Sequence, residues 1–245
     1  MKILVCLSNV PDTTSKITFT DNNTAFNTAG IQYIINPYDE IALARAVELA
    51  GNGQGTITVI HVGEAAADPT IRKALAIGAD QAVRIDAYPR DAWFVAHQIA
   101  SYAKTQNFDL ILTGRESIDY NGSLVQGYIA ELLGIPSISI AKKLDINDSQ
   151  ATVEREIEGG KEVIQVPLPV VIGTAEGVAE PKIPNMRGIM SARTKPLEVI
   201  QAIDVPALSH ITHFDTPPPR GNVKLVDKDH VTQLVELLHS EAKVI

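Results

Sequence analysis

The chain has 245 residues, enough for one large α/β domain with an additional arm. Its formal charge of -8, from 21 basic and 29 acidic residues, argues against a nucleic-acid surface, and no cluster of Lys and Arg offsets it. A single cysteine, Cys6, excludes an internal disulfide and a cysteine-based metal knuckle. Aromatic residues are few, so Ala, Val, Ile and Leu must fill the core, which suits parallel strands covered by helices. No run approaches the roughly 20 apolar residues that span a bilayer. The expectation is a soluble, cytoplasmic protein.

In chain order, "KILVCLS" reads as a strand with Cys6 as a buried thiol, and its apolar run is too short for a secretion signal. "NPYDEIALARAVELAG" reads as a helix, with Asn36 as N-cap, Pro37 at the first helical position, acids in the first turn and Gly51 as the stop. A strand is predicted over 55–63. "DPTIRKALAIGAD" repeats the helix-starting device with Asp68 and Pro69 and ends near Gly78. A strand over 81–86 follows. "RDAWFVAHQIASYAKTQN" sets Trp93, Val95, Ala96, Ile99, Tyr102 and Ala103 at helical spacing. After a strand over 108–114, a fourth helix starts near Ser123, turns Leu124, Tyr128, Ile129 and Leu132 inward, and ends at Gly134 and Pro136. A strand over 136–141 closes the series. Strands alternating with helices define an α/β fold: a doubly wound, mostly parallel sheet.

The rhythm changes after about residue 144. "ATVEREIEGGKEVIQVPLPVVIGTA" reads as an antiparallel hairpin bent at Gly159 and Gly160, with one wet face, followed by a buried strand. "EPKIPNMRGIMSARTKPLEVIQ" holds three prolines and a short helix-like piece. From Val205 periodicity is lost, and "PPP" favours an extended chain. A last helix is predicted over about 228–243, with Val231, Leu234, Val235 and Leu238 on one stripe. The division is therefore an α/β domain over 1–205 and a C-terminal arm over 206–245.

In open α/β sheets, ligands collect outside the carboxyl ends of the strands. Three such ends are small, polar or glycine-bearing: "SNVPDTTS", "VGEAAADP" and "GRESIDYNGS". The last runs straight into the fourth helix, whose first-turn amides favour an anion. Gly122 lacks bulk there and Ser123 adds a hydroxyl. A bound phosphate and an ordinary capped turn both fit. No G-x-G-x-x-G follows the first strand and no P-loop motif occurs. The six histidines show no metal spacing, and His210 and His213 read as a hydrated pair in the arm. Asp119 and Glu116 beside the phosphate position are either a general base or a turn residue and a solvated acid. Nothing forms a constellation for covalent catalysis, so a non-enzyme is expected.

"INPYDEIALARAVEL", "TIRKALAIGAD", "GRESIDYNGSLVQGYIAELLGIP" and "VEREIEGGKEVIQVPLPVVI", in this order and spacing, resemble the beta subunit of electron-transfer flavoproteins over nearly the whole chain. "AEPKIPNMRGIMSARTKPLEVI" also matches the stretch that follows in that family. The resemblance implies a Rossmann-like fold of the adenine-nucleotide-binding type and a heterodimer with an alpha subunit, against which the arm would pack. It implies one redox-active FAD, shared with and held mostly by that subunit, and a structural AMP in this one. Bifurcating relatives carry a second FAD in place of AMP; a stand-alone adenine-nucleotide-binding module is a further alternative. Electrons would pass from flavin dehydrogenases, such as the acyl-CoA dehydrogenases of fatty acid oxidation, to a quinone reductase or another acceptor. The implied nucleotide pocket comprises Cys6, Asn36, Pro37, Tyr38, Asp39, Val62 and Gly63. From the loop it adds Ser117, Ile118, Asp119, Asn121, Gly122, Ser123, Leu124, Val125 and Gln126. Tyr38 would approach the flavin edge across the interface. The implied dehydrogenase-docking residues are Ile183, Met186, Arg187 and Ile189. The family loop more often carries further acids where this chain has "DYNGS", and Gly173 stands where another small residue is usual.

Overall fold

The computed structural model describes residues 1–53, 55–219 and 221–245. Its elements run β1 (Lys2–Cys6), β2 (Asn9–Pro11), β3 (Phe19–Thr20), β4 (Ala25–Phe26), β5 (Tyr33–Ile35), α1 (Pro37–Leu49), β6 (Thr56–Val62), α2 (Asp68–Ile77), β7 (Gln81–Asp86), α3 (Ala92–Lys104) and β8 (Leu110–Gly114). There follow α4 (Val125–Leu133), β9 (Ser137–Asn147), β10 (Gln150–Ile157), β11 (Gly160–Pro167), β12 (Val170–Thr174), α5 (Met186–Ala192), β13 (Leu197–Gln201) and α6 (Val231–Leu237).

Nine strands form one sheet in the order β11-β10-β9-β12-β8-β1-β6-β7-β13. From β9 to β13 neighbours pair in parallel; β10 and β11 return antiparallel. Strand β1 has β6 on one side and β8 on the other, so the winding reverses there. This is the expected doubly wound, Rossmann-like sheet. Alternation along β1 feeds two cores. Ile3 and Val5 pack with Leu43 and Ala46 of α1 and Ile71 and Leu75 of α2. Leu4 and Cys6 pack on the other face with Phe94 and Ile99 of α3 and Ile129 of α4.

Local chemistry sets most helix ends. Asp91 accepts the Phe94 amide at 2.7 Å and starts α3. Gly134, left-handed at φ 66°, ends α4. Three starts differ from expectation. Asn36 occupies the cap position of α1, but its side chain makes no cap bond there. Asp68 lies already inside α2, after a 3-10 turn over Ala65–Ala67. Its carboxylate faces Arg84 instead, 2.8 Å from Nε. Helix α4 starts at Val125, and Leu124 is exposed rather than inward, because Asn121 and Ser123 adopt left-handed φ of 50° and 52° and hold the chain out of the helix. Ile129 is buried as expected; Tyr128 and Leu132 are half-buried.

Beyond residue 144 the hairpin is part of a three-stranded meander, since β9 extends to Asn147. Ion pairs line both of its faces: on the exposed one Glu154 lies 3.7 Å from Lys143 and 3.1 Å from Lys161, and on the other Arg155 lies 2.7 Å from Glu162. Strand β13 was not foreseen. It pairs with β7 from Leu197↔Ala82 to Gln201↔Asp86 and forms the opposite edge of the sheet.

The root of the arm is tied to α3. Gln98 donates to the Ile203 carbonyl at 2.9 Å and accepts the Ile203 amide at 2.8 Å. Asp91 accepts the amides of Leu208 and Ser209 at 2.7 and 2.9 Å. Further on, Phe214 stacks on Phe19 of β3 with ring centroids 4.6 Å apart. Helix α6 begins later than expected and continues as a π turn over Leu238–Ala242; Val231, Leu234 and Val235 are exposed. Residue 220 of the predicted arm lies outside the described residues.

Candidate functional site

The reversal of winding leaves a crevice where the chain exits β1 and β8 in opposite directions. The first turn of α1 fastens both sides of it. Asp39 accepts the Ser8 amide beyond β1 and the Gly114 amide at the end of β8, each at 2.7 Å. Asn36, fully buried, donates to the Glu116 carbonyl at 2.8 Å and accepts the Ile118 amide at 3.2 Å. A methyl group on Gly114 would stand 2.5 Å from Asp39 Oδ1, so glycine is required for the approach.

Burial pushes the Asp39 carboxyl up to about 7, against the Ser8 and Gly114 amides, which favour the ion. Burial, and then the charge of Asp39, push the Cys6 thiol up, so it stays protonated and inert. On the β6 side, His61 Nδ1 lies 2.8 Å from the Leu7 carbonyl. Burial lowers the His61 pKa, so the ring is neutral and Nδ1 carries the donated proton. A Cβ on Gly63 would fall 2.1 Å from His61 Nε2. The Gly63 carbonyl accepts from buried Arg84 at 2.9 Å.

The β8–α4 loop forms the lip. Asn121 donates its amide to Ser117 at 2.8 Å, closing a turn. None of the six backbone amides from Gly122 to Gly127 meets an acceptor among the described residues. The Ser123 hydroxyl donates to the Glu116 carboxylate at 3.1 Å, and that carboxylate also lies 3.3 Å from Arg115. The Arg115 guanidinium sits 5.5 Å from the centre of the Tyr38 ring, beside a hollow of about 90 Å³ also lined by Lys142 and Ile140. A larger hollow of about 590 Å³, lined in part by Asn107, Asp109, Asp148 and Pro169, lies at the amino ends of the strands.

The expected pocket residues therefore fall into three groups. Cys6, Asn36, Pro37, Tyr38, Asp39, Ser117 and Ile118 meet around the ends of β1 and β8, and Val62 and Gly63 end the adjacent β6. Asp119, Asn121, Gly122, Ser123 and Leu124 are exposed along the lip, with Val125 opening α4. Gln126 is turned away from the crevice: it donates to Ser137 Oγ at 2.9 Å, and its Oε1 would stand 1.8 Å from a Cβ on Gly173. The Gly173 departure thus has a use, since it makes room for Gln126. Ser8, Gly114, Arg115 and Thr174, whose hydroxyl donates to the Thr113 carbonyl at 3.0 Å, were not singled out from the sequence. Only the strand-ending glycine carried a readable signal.

The expected docking residues lie elsewhere, on and before α5. Ile183 is 93% and Met186 73% exposed, and Arg187 and Ile189 are also exposed. No described helix is long and apolar enough to cross a membrane.

A doubly wound, mostly parallel sheet covered by helices on both faces defines a Rossmann-like α/β protein. The chain belongs to the electron transfer flavoprotein family, in its beta-subunit branch: the model of the electron transfer flavoprotein domain matches residues 23–205. It is 38% identical to the electron transfer flavoprotein subunit beta of Bacillus subtilis (strain 168), over 100% of both chains. It is 35% identical to that of Syntrophomonas wolfei, over 100% of this chain and 98% of the other. The mitochondrial subunit beta of Oryza sativa subsp. japonica is 32% identical over 100% of both. Electron transport by a flavoprotein is the work this family shares.

Proposed function

We propose that the chain is the beta subunit of a heterodimeric electron-transfer flavoprotein, with AMP as a structural ligand in its switch-point crevice. The observation that carries the ligand is the run of six unpaired amides from Gly122 to Gly127, in the loop whose root at Gly114, Glu116 and Ile118 is fastened by Asp39 and Asn36. Such a run suits one phosphate group. Gly122 and Gly127 leave open space above the backbone. Two carboxylates on the lip oppose the fit: Glu116, which occupies the Ser123 hydroxyl and must yield part of it to the phosphate, and exposed Asp119.

FAD shared with the alpha subunit supplies the redox chemistry when bound. This chain supports it from beneath: Tyr38, stacked under Arg115, offers a ring at the crevice mouth where a partner's cofactor edge can rest. Flavin dehydrogenases dock through Ile183, Met186, Arg187 and Ile189, and a quinone reductase or other acceptor completes the transfer. The chain contributes geometry and contact, with no catalytic residue of its own, and works as a soluble cytoplasmic carrier.

The test is to purify the chain with its alpha subunit, denature the pair, and separate released adenine compounds by chromatography. One AMP and one FAD per heterodimer are expected. Absence of AMP overturns the ligand assignment, and a second FAD in its place assigns the crevice to the flavin. In parallel, Ile183→Ala and Met186→Ala should each slow reduction by an acyl-CoA dehydrogenase by roughly tenfold at limiting concentration, with nucleotide content unchanged. Equal rates would remove the docking role.

A further inference from the structure

We infer that Lys195, Arg72 and Gly188 form a clasp that presets α5 on the C-terminal end of α2, and that Lys195 acts as a positioning residue for dehydrogenase docking. The inference rests on the docking role proposed for α5.

Helix α5 has seven residues, too few to be stable alone, and it gains little from burial. Ile183, Met186, Ile189 and Met190 are exposed, and Ala192 is its one buried residue. Three polar or close contacts hold it instead. Gly188 lies so near α2 that a Cβ there would stand 2.3 Å from the Ala76 carbonyl oxygen, a backbone atom that cannot swing aside. Arg72 donates through Nη1 to the carbonyls of Ala192 and Lys195, at 2.8 and 2.7 Å, just where α5 ends. Lys195 returns the contact, donating through Nζ to the carbonyls of Leu75 and Ala79 at 3.0 and 2.6 Å. Those carbonyls border the C-terminus of α2, where unpaired acceptors and the negative end of the helix dipole favour a cation.

The charge of Lys195 is thus spent inside the subunit and is not offered to a partner. The residue also stands at a junction. Pro196, next in the chain, accepts the Ala82 amide at 3.0 Å, and β13 begins one residue later. Cutting the clasp would free α5 while leaving the pairing of β13 with β7 in place. A contact helix ordered beforehand loses less entropy on docking than one ordered by its partner. The effect belongs in the apparent KM for the dehydrogenase and not in the turnover of the complex once formed.

The experiment uses the intact heterodimer. Lys195→Met keeps a long side chain and removes the donors, Gly188→Ala pushes α5 off Ala76, and Lys195→Arg keeps charge and donors. Amide hydrogen exchange over residues 186–194 is followed by mass spectrometry. An acyl-CoA dehydrogenase, reduced by its acyl-CoA, reports KM and kcat. Exchange over 186–194 should quicken at least about fivefold in Lys195→Met and Gly188→Ala, with 197–201 unchanged. KM should rise roughly fivefold at constant kcat, and Lys195→Arg should restore both. Unchanged exchange in both disrupting variants overturns the clasp. Faster exchange with an unchanged KM, in a preparation where Ile183→Ala does raise KM, overturns the positioning role alone. If Ile183→Ala leaves KM unaltered, the docking reading fails and the positioning role fails with it.

Discussion

Asp39 carries two backbone amides in a setting without water, and the two facts pull its proton in opposite directions. Burial is the larger influence and brings the folded value to about 7, against about 4 for an unfolded aspartate. Between these values the folded state binds the extra proton, so stability falls as pH rises through that window and levels above it. Denaturant titrations of the wild type at roughly pH 5 and pH 8 should show this fall, and Asp39→Asn should abolish it. A slope that survives the substitution would assign the effect to another group. Since the Ser8 and Gly114 amides meet different oxygens of Asp39, and Asn replaces one of these by an NH2 donor, Asp39→Asn should also be less stable at low pH by about 1–3 kcal/mol. Glu116→Gln should act oppositely on the ligand. It removes a negative charge facing the proposed phosphate and keeps an acceptor for Ser123, so AMP should be retained roughly threefold more tightly in equilibrium dialysis. Weaker retention would place the phosphate elsewhere. Asn36 and Asp39 were placed at the crevice only by the family resemblance, and their bonding task was not legible. The sequence offers Asn36 as a helix cap, whereas its amide reaches across 80 residues to Glu116. Such a bond depends on the topology of the sheet and leaves no local trace.

At the scale of elements, what the sequence made plain was what local chemistry decides. Pro37 opens α1 and Gly134 stops α4, and each boundary follows from that residue's own preferences; Asp91, the cap of α3, was not singled out although its preference is of the same local kind. Strand β13 escaped because "LEVIQ" is short, follows a proline and has a half-exposed face, and gains its strand form only from β7. The start of α4 was misjudged for a related reason. Asn121 and Ser123 can enter the left-handed region, and the surrounding loop decides whether they do. Gln98 shows how a buried polar side chain on a helix can act like a strand edge, matching both the carbonyl and the amide of Ile203. Gln98→Ala would leave both groups unpaired against α3. The expected loss is about 1–3 kcal/mol in urea titration, with faster amide exchange confined to the segment after β13. No change in either would mean that water replaces the amide without loss.

For the molecule as a whole, the mostly parallel α/β sheet was readable from alternation, because apolar strand runs and helical spacing report on burial directly; the strand order, and with it which of the three polar strand ends lie together, depends on long-range pairing. The arm was readable only as a departure from that pattern. Its anchors on Asp91, Gln98 and Phe19 end at Phe214, and beyond them Val223, Leu225, Val231 and Val235 are exposed. So much apolar surface on one segment supports the proposal that the arm packs against the alpha subunit. Removing residues 221–245 should therefore shift the melting temperature of the chain by less than about 3 °C, while lowering its co-elution with the alpha subunit in size-exclusion chromatography. A large loss of melting temperature would show that the arm serves the fold of its own subunit.

The meander beside β9 leaves the sheet with one rim of bare peptide groups along β11, the kind of rim on which amyloid-like stacking begins. A second molecule aligning there would have to pair beside Lys161 and Glu162 of β11, which already engage Glu154 and Arg155, and such edge charges disfavour the addition of another strand. The charged rim thereby guards the chain against polymerising through its own backbone along β11.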